Sequence, residues 1–84
     1  MNKARPMLYT LSTCVHCKAT KRFFKSQGII YDFIDVDKLE GREKEDVRSE
    51  MIRLSGTVRF PTIVIGDTVI VGFYEDKIRA ALGL

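Results

Sequence analysis

Cysteine is scarce in this sequence, with two residues, and histidine scarcer still, with one. Two cysteines are too few for the disulfide framework that staples small secreted domains. Together with His16 they leave no second Cys or His pair, which argues against the four ligands of a structural zinc site. No apolar run approaches the roughly 18–20 residues that cross a bilayer, so no membrane association is expected. The cations Lys3 and Arg5 have no apolar stretch behind them, which argues against a secretion signal. No aromatic-interleaved basic segment points to nucleic acid. Repeats, low-complexity tracts and internal linkers are absent as well.

What is there is an ordinary globular composition, 45% hydrophobic and 30% charged over 84 residues. That suits one small domain over residues 1–84, with 1–5 as a short N-terminal tail. The reading is a cytoplasmic monomer, in a compartment where a C-x-x-C pair is catalytic rather than structural. The net charge of +3 would favour acidic protein partners.

Apolar patterning divides the chain into alternating elements. Met7 to Leu11 reads as a central strand, apolar on both faces, with Pro6 tolerated at its start. Val15 to Gln27 reads as a helix closed by Gly28, with Val15, Ala19, Phe23 and Phe24 as its buried stripe. Cys17, Lys18, Lys21, Arg22 and Lys25 fall on another face. Ile29 to Val36 is predicted to be a second strand, parallel to the first through a right-handed crossover. Asp37 to Glu40 looks like a capping box for a helix over about 45–54, whose apolar side is Val47, Met51 and Leu54. Thr62–Ile65 and Thr68–Val71 flank Gly66-Asp67, a hairpin signal suited to a type II′ turn. Tyr74 to Leu82 reads as a last helix, ended by Gly83. The order is β-α-β-α-β-β-α: an α/β fold with a four-stranded mixed sheet and three helices on both faces.

The chemistry is concentrated in Thr13-Cys14-Val15-His16-Cys17-Lys18. A C-x-x-C pair between a strand and a helix places the first sulfur where helix N–H groups and the helix dipole favour its thiolate. Cys14 is then the nucleophile and Cys17, one turn inside, the resolving thiol. As a structural disulfide the pair would close too short a loop to remove much chain entropy. His16 reads either as a modulator of the cysteine pair or as an exposed loop residue. The stripe Lys18, Lys21, Arg22, Lys25 reads as a solvated face or as a docking surface.

Cys14-Val15-His16-Cys17 after the first strand, Pro61 before the third, and Gly72 after the fourth together resemble the thioredoxin-fold redoxins, and within them the glutaredoxins. The resemblance spans about residues 7–82. It implies dithiol–disulfide exchange through a redox-active Cys14–Cys17 disulfide, with no bound organic cofactor. It also implies a cis proline at Pro61 and a substrate groove walled by Phe60, Pro61, Gly72 and Phe73, with Thr13, Val15, His16 and Arg59 contributing. Cys14-Val15-His16-Cys17-Lys18-Ala19-Thr20-Lys21 and Val71-Gly72-Phe73 are similar to the NrdH-redoxin branch. That branch implies a disulfide-containing protein substrate, ribonucleotide reductase among them, and reduction by thioredoxin reductase. Glutathione is the alternative reductant, with deglutathionylation as its activity, and an iron–sulfur cluster carrier is a further alternative. Leu11, where glutathione-using glutaredoxins carry a basic residue, weighs against glutathione.

Overall fold

The structure, a computed structural model, describes residues 5–84; most of the predicted tail lies outside the described residues. Its first strand, β1 (Met7–Thr10), is buried at three of its four positions, because it is paired on both sides. The sheet order is β2-β1-β3-β4. β2 (Asp32–Asp35) runs parallel to β1, with Met7 opposite Asp32 and Thr10 opposite Asp35. β3 (Thr62–Ile65) runs antiparallel on the other side, with Leu8 opposite Ile63. β4 (Thr68–Val71) closes a hairpin in which Ile65 faces Thr68. Gly66 has φ +59° and Asp67 does not have positive φ, the combination a type II′ turn requires.

Three helices cover this sheet: α1 (Val15–Ser26), α2 (Gly41–Ser55) and α3 (Glu75–Leu82). Strand alternation sends Leu8, Ile63 and Ile70 to one face, where they meet Phe23 and Phe24 of α1 and Ile78 of α3. Tyr9 points to the other face and packs with Val36 and with Met51 of α2. The sheet is therefore mixed and covered on both sides, the glutaredoxin-like arrangement of the thioredoxin fold. Each fully buried Leu, Ile or Phe in these layers contributes about 1.5–3 kcal/mol of apolar transfer.

Several elements differ from the sequence reading. β1 stops at Thr10, because the Leu11 carbonyl already turns back to accept the Cys14 amide at 3.2 Å. β2 is half its predicted length: it can pair only along the four residues of β1, and Val36–Lys38 then curls into a 3-10 turn. Val15, the first residue of α1, is 72% exposed and not part of its buried side. The buried side of α1 is Cys17, Thr20, Phe23 and Phe24, so Cys17 belongs to the core face and not with the cations. α2 starts earlier than predicted, at Gly41, and its N-cap is Glu40. The Asp37 carboxylate does not cap α2, because it is bonded to Ser12 instead.

Candidate functional site

α1 begins at Cys14, which holds extended backbone angles (φ −80°, ψ 125°) and serves as the N-cap. N-cap positions usually carry an oxygen that accepts an inner helix amide. Here a sulfur takes that place: the Cys17 N–H donates to Cys14 Sγ at 3.3 Å. The Lys18 amide reaches the Cys14 carbonyl at 3.0 Å. Cys14 is half-buried, Cys17 is fully buried, and both are free thiols. Burial pushes the Cys17 thiol up to about 12, and its hydrogen bond with Cys14 adds to this. A backbone hydrogen bond at Leu11 and the Lys21 cation act the other way. One sulfur thus stands at the surface among helix amides, with a protonated reserve one turn behind it.

The loop that presents Cys14 is held from across the sheet. The Asp37 carboxylate accepts the Ser12 amide at 2.8 Å and the Ser12 hydroxyl. These bonds, the hydroxyl's first, hold the Asp37 carboxyl below its ordinary range. Beneath the loop, at the carboxyl ends of β1 and β2, Asp35 Oδ1 accepts the Thr10 hydroxyl at 2.6 Å and the Lys21 ammonium at 3.1 Å. Lys21 also lies over the Phe33 ring, 3.9 Å from its centroid. Lys21 is therefore taken out of the predicted cationic stripe, while Lys18, Arg22 and Lys25 are exposed.

A cleft of about 220 Å³ is lined by His16, Phe60, Pro61, Gly72, Phe73 and Tyr74. Five of these six were groove candidates from the sequence. Thr13, Val15 and Arg59, the remaining candidates, lie outside the lining; Thr13 and Val15 flank Cys14 as exposed neighbours. The Phe60–Pro61 bond is cis. The Gly72 amide donates to the Pro61 carbonyl at 2.8 Å, which ties the two walls together. Gly72 has φ +103°, and a Cβ there would stand 2.7 Å from Tyr74 Cε2. Tyr74 was not a sequence candidate. It read as the first residue of a helix, but it is the N-cap of α3 and 53% exposed. The sequence signal for it is slight: a glycine two positions before an aromatic residue. A larger cavity of about 570 Å³, apolar and lined by Ile29, Ile65, Leu82 and Leu84 among others, lies at the opposite end of the strands.

Among the described residues, no group of three or more His, Cys, Asp or Glu side chains is placed to hold a metal ion. No helix among them is long and apolar enough to cross a membrane.

Known proteins share this arrangement. The family model described as Glutaredoxin matches residues 7–70. The glutaredoxin-like protein NrdH of Escherichia coli (strain K12) is 32% identical over 75 residues, which cover 89% of this chain and 85% of that protein. Among solved structures, the glutaredoxin from Methanosarcina mazei Go1 is 44% identical with a TM-score of 0.87, over 96% of this chain and 80% of its own. Methanosarcina acetivorans methanoredoxin is 37% identical with a TM-score of 0.88, over 100% of this chain and 97% of its own.

Proposed function

The chain belongs to the glutaredoxin family, and from that premise we propose that it reduces disulfide bonds in proteins by thiol–disulfide exchange through Cys14 and Cys17. The observation that carries this reading is the pair itself: Cys14 Sγ at the N-cap of α1, accepting the Cys17 amide, with Cys17 buried behind it.

The Cys14 thiolate attacks one sulfur of the substrate disulfide. A Cys14–substrate bond forms, and the other substrate sulfur leaves with the electron pair and takes a proton from water. Cys17, as thiolate, then attacks Cys14 Sγ. The Cys14–Cys17 bond forms, and the second substrate sulfur leaves as the mixed disulfide breaks. Two electrons pass from the cysteine pair to the substrate. The substrate chain lies along the cleft against Phe60, Pro61, Gly72, Phe73 and His16, with Thr13, Val15 and Arg59 at its margin. The aromatic lining suits a peptide segment with apolar residues beside its cysteine. In this reading the redox-active group is the Cys14–Cys17 pair, which cycles between dithiol and disulfide.

The similarity to NrdH supports a cytoplasmic electron-donor role, with ribonucleotide reductase as a candidate acceptor and a thioredoxin reductase as the source of electrons. Leu11, in place of a basic residue, argues for that source over glutathione. Two coupled assays test the choice, one with thioredoxin reductase and NADPH, the other with glutathione and its reductase; turnover only in the second would reverse it. For the mechanism, Cys14→Ser should abolish insulin reduction, and Cys17→Ser should accumulate the mixed disulfide, visible by mass spectrometry. Full activity in Cys14→Ser would refute the reading.

A further inference from the structure

Lys21 stands one helical turn beyond Cys17 on α1, at the i+4 position where side chains on one face become neighbours. We propose that it is a positioning residue for the release step: its ammonium, fixed by Asp35, supplies the positive charge under which Cys17 becomes the attacking thiolate. This rests on the exchange mechanism above and names the group that governs its second half.

Cys17 has no exposed surface, so its thiolate must be stabilised by protein groups and not by bulk water. A backbone hydrogen bond at Leu11 acts on it in that direction, and after it Lys21, one turn along the same helix, is the cation that does so. Its ammonium is held from two sides, by Asp35 Oδ1 at 3.1 Å and by the Phe33 ring at 3.9 Å. Asp35 is fixed in turn by the Thr10 hydroxyl at 2.6 Å. Thr10 is fully buried, and the Lys21 and Asp35 side chains are 23% and 19% exposed. An ion pair this far from solvent is weak evidence of added stability, because desolvation offsets the attraction. Its place under the cysteine loop gives it a use in the chemistry.

Asp35, which holds Lys21, is itself charged, and the other charged groups near the pair are bonded elsewhere or exposed. Cys14, whose charge opposes a Cys17 thiolate, is neutral once it is bonded to substrate. His16 and Lys18 on α1 are exposed. Asp37, in the turn after β2, is bonded to Ser12. Glu75 on α3 is paired with Arg79 at 3.0 Å. β1 ends in Thr10 and β3 begins at Thr62, neither of them charged. In the release step Cys17 gives its proton to water, its sulfur bonds to Cys14 Sγ, and the leaving substrate thiolate is reprotonated by water. Lys21 keeps its proton throughout.

The test measures the two halves separately by stopped flow, using a fluorescent peptide disulfide. Formation of the mixed disulfide is followed in a Cys17→Ser background, and release in the intact pair, each across a pH series. Lys21→Met and Lys21→Gln should slow release about tenfold at neutral pH and move its pH midpoint up by about one unit. Lys21→Arg should restore most of the rate. Formation should stay within about twofold in all of them. Release profiles in Met and Gln variants that superimpose on the parent would overturn the proposal. So would equal slowing of both halves, which would mean a general loss of structure. If the parent itself forms no mixed disulfide, the exchange reading falls and this inference with it; if it forms and releases normally without Lys21, only the inference falls.

Discussion

Cys17 is a titratable group with no exposed surface, and this shapes the response of the reduced protein to alkali. Its folded value, about 12, lies above the roughly 8.5 of an unfolded cysteine. A raised value means that the folded state holds the proton longer. The associated stability is complete below the unfolded value and is lost as pH rises towards 12. Urea titrations of the reduced protein from about pH 8 to 10.5 should show a falling midpoint, and a Cys17→Ser variant a flatter one. Gly72 is the second sensitive position. Gly72→Ala meets both a left-handed backbone and the Tyr74 ring, and should cost about 1–3 kcal/mol in chemical denaturation. Cys14 and Cys17 stand out in the sequence because a rare residue type at a fixed spacing carries the signal, and Pro61 and Gly72 come with the family resemblance. Asp37 and Lys21 could not. Their partners lie 25 and 14 positions away in the chain, and only the sheet brings them together.

At the level of elements, α2 is the most lightly anchored helix for its length. Of its 15 residues only Met51 is fully buried, with Val47 and Leu54 packed beside it. Met51→Ala should therefore cost about 2–5 kcal/mol and raise hydrogen exchange along α2 before α1. Ile52→Ala, one position along but 53% exposed, should stay within about 0.5 kcal/mol. Both are read from urea denaturation and exchange protection. The hairpin and the apolar side of α2 were legible because turn chemistry and helical period act locally. The ends of β1, β2 and α2 differ from the sequence expectation because non-local pairing decides them. β2 can be no longer than the strand it pairs with, and Asp37 left the capping role for a partner across the sheet.

The whole molecule carries a net charge of +3, with Lys18, Arg22 and Lys25 exposed on the helix that starts at the cysteines. Surface charge of this kind acts on encounter rates and is screened within about 8–10 Å at physiological salt. The rate of exchange with an acidic peptide disulfide should fall several-fold between about 0.05 and 0.5 M salt, while that with a neutral peptide changes little. Stopped-flow traces on the two peptides decide it. The two ends of the sheet also differ in what they carry. The cysteines and the cleft follow the carboxyl end of β1, whereas Arg5 and Leu84 both border the cavity at the other end. Strands of four residues separate them by about 13 Å. A bead, an electrode or a fused carrier joined through either Arg5 or Leu84 therefore leaves Cys14 facing outward, so the protein can be immobilised as a surface reductant without reorienting its chemistry.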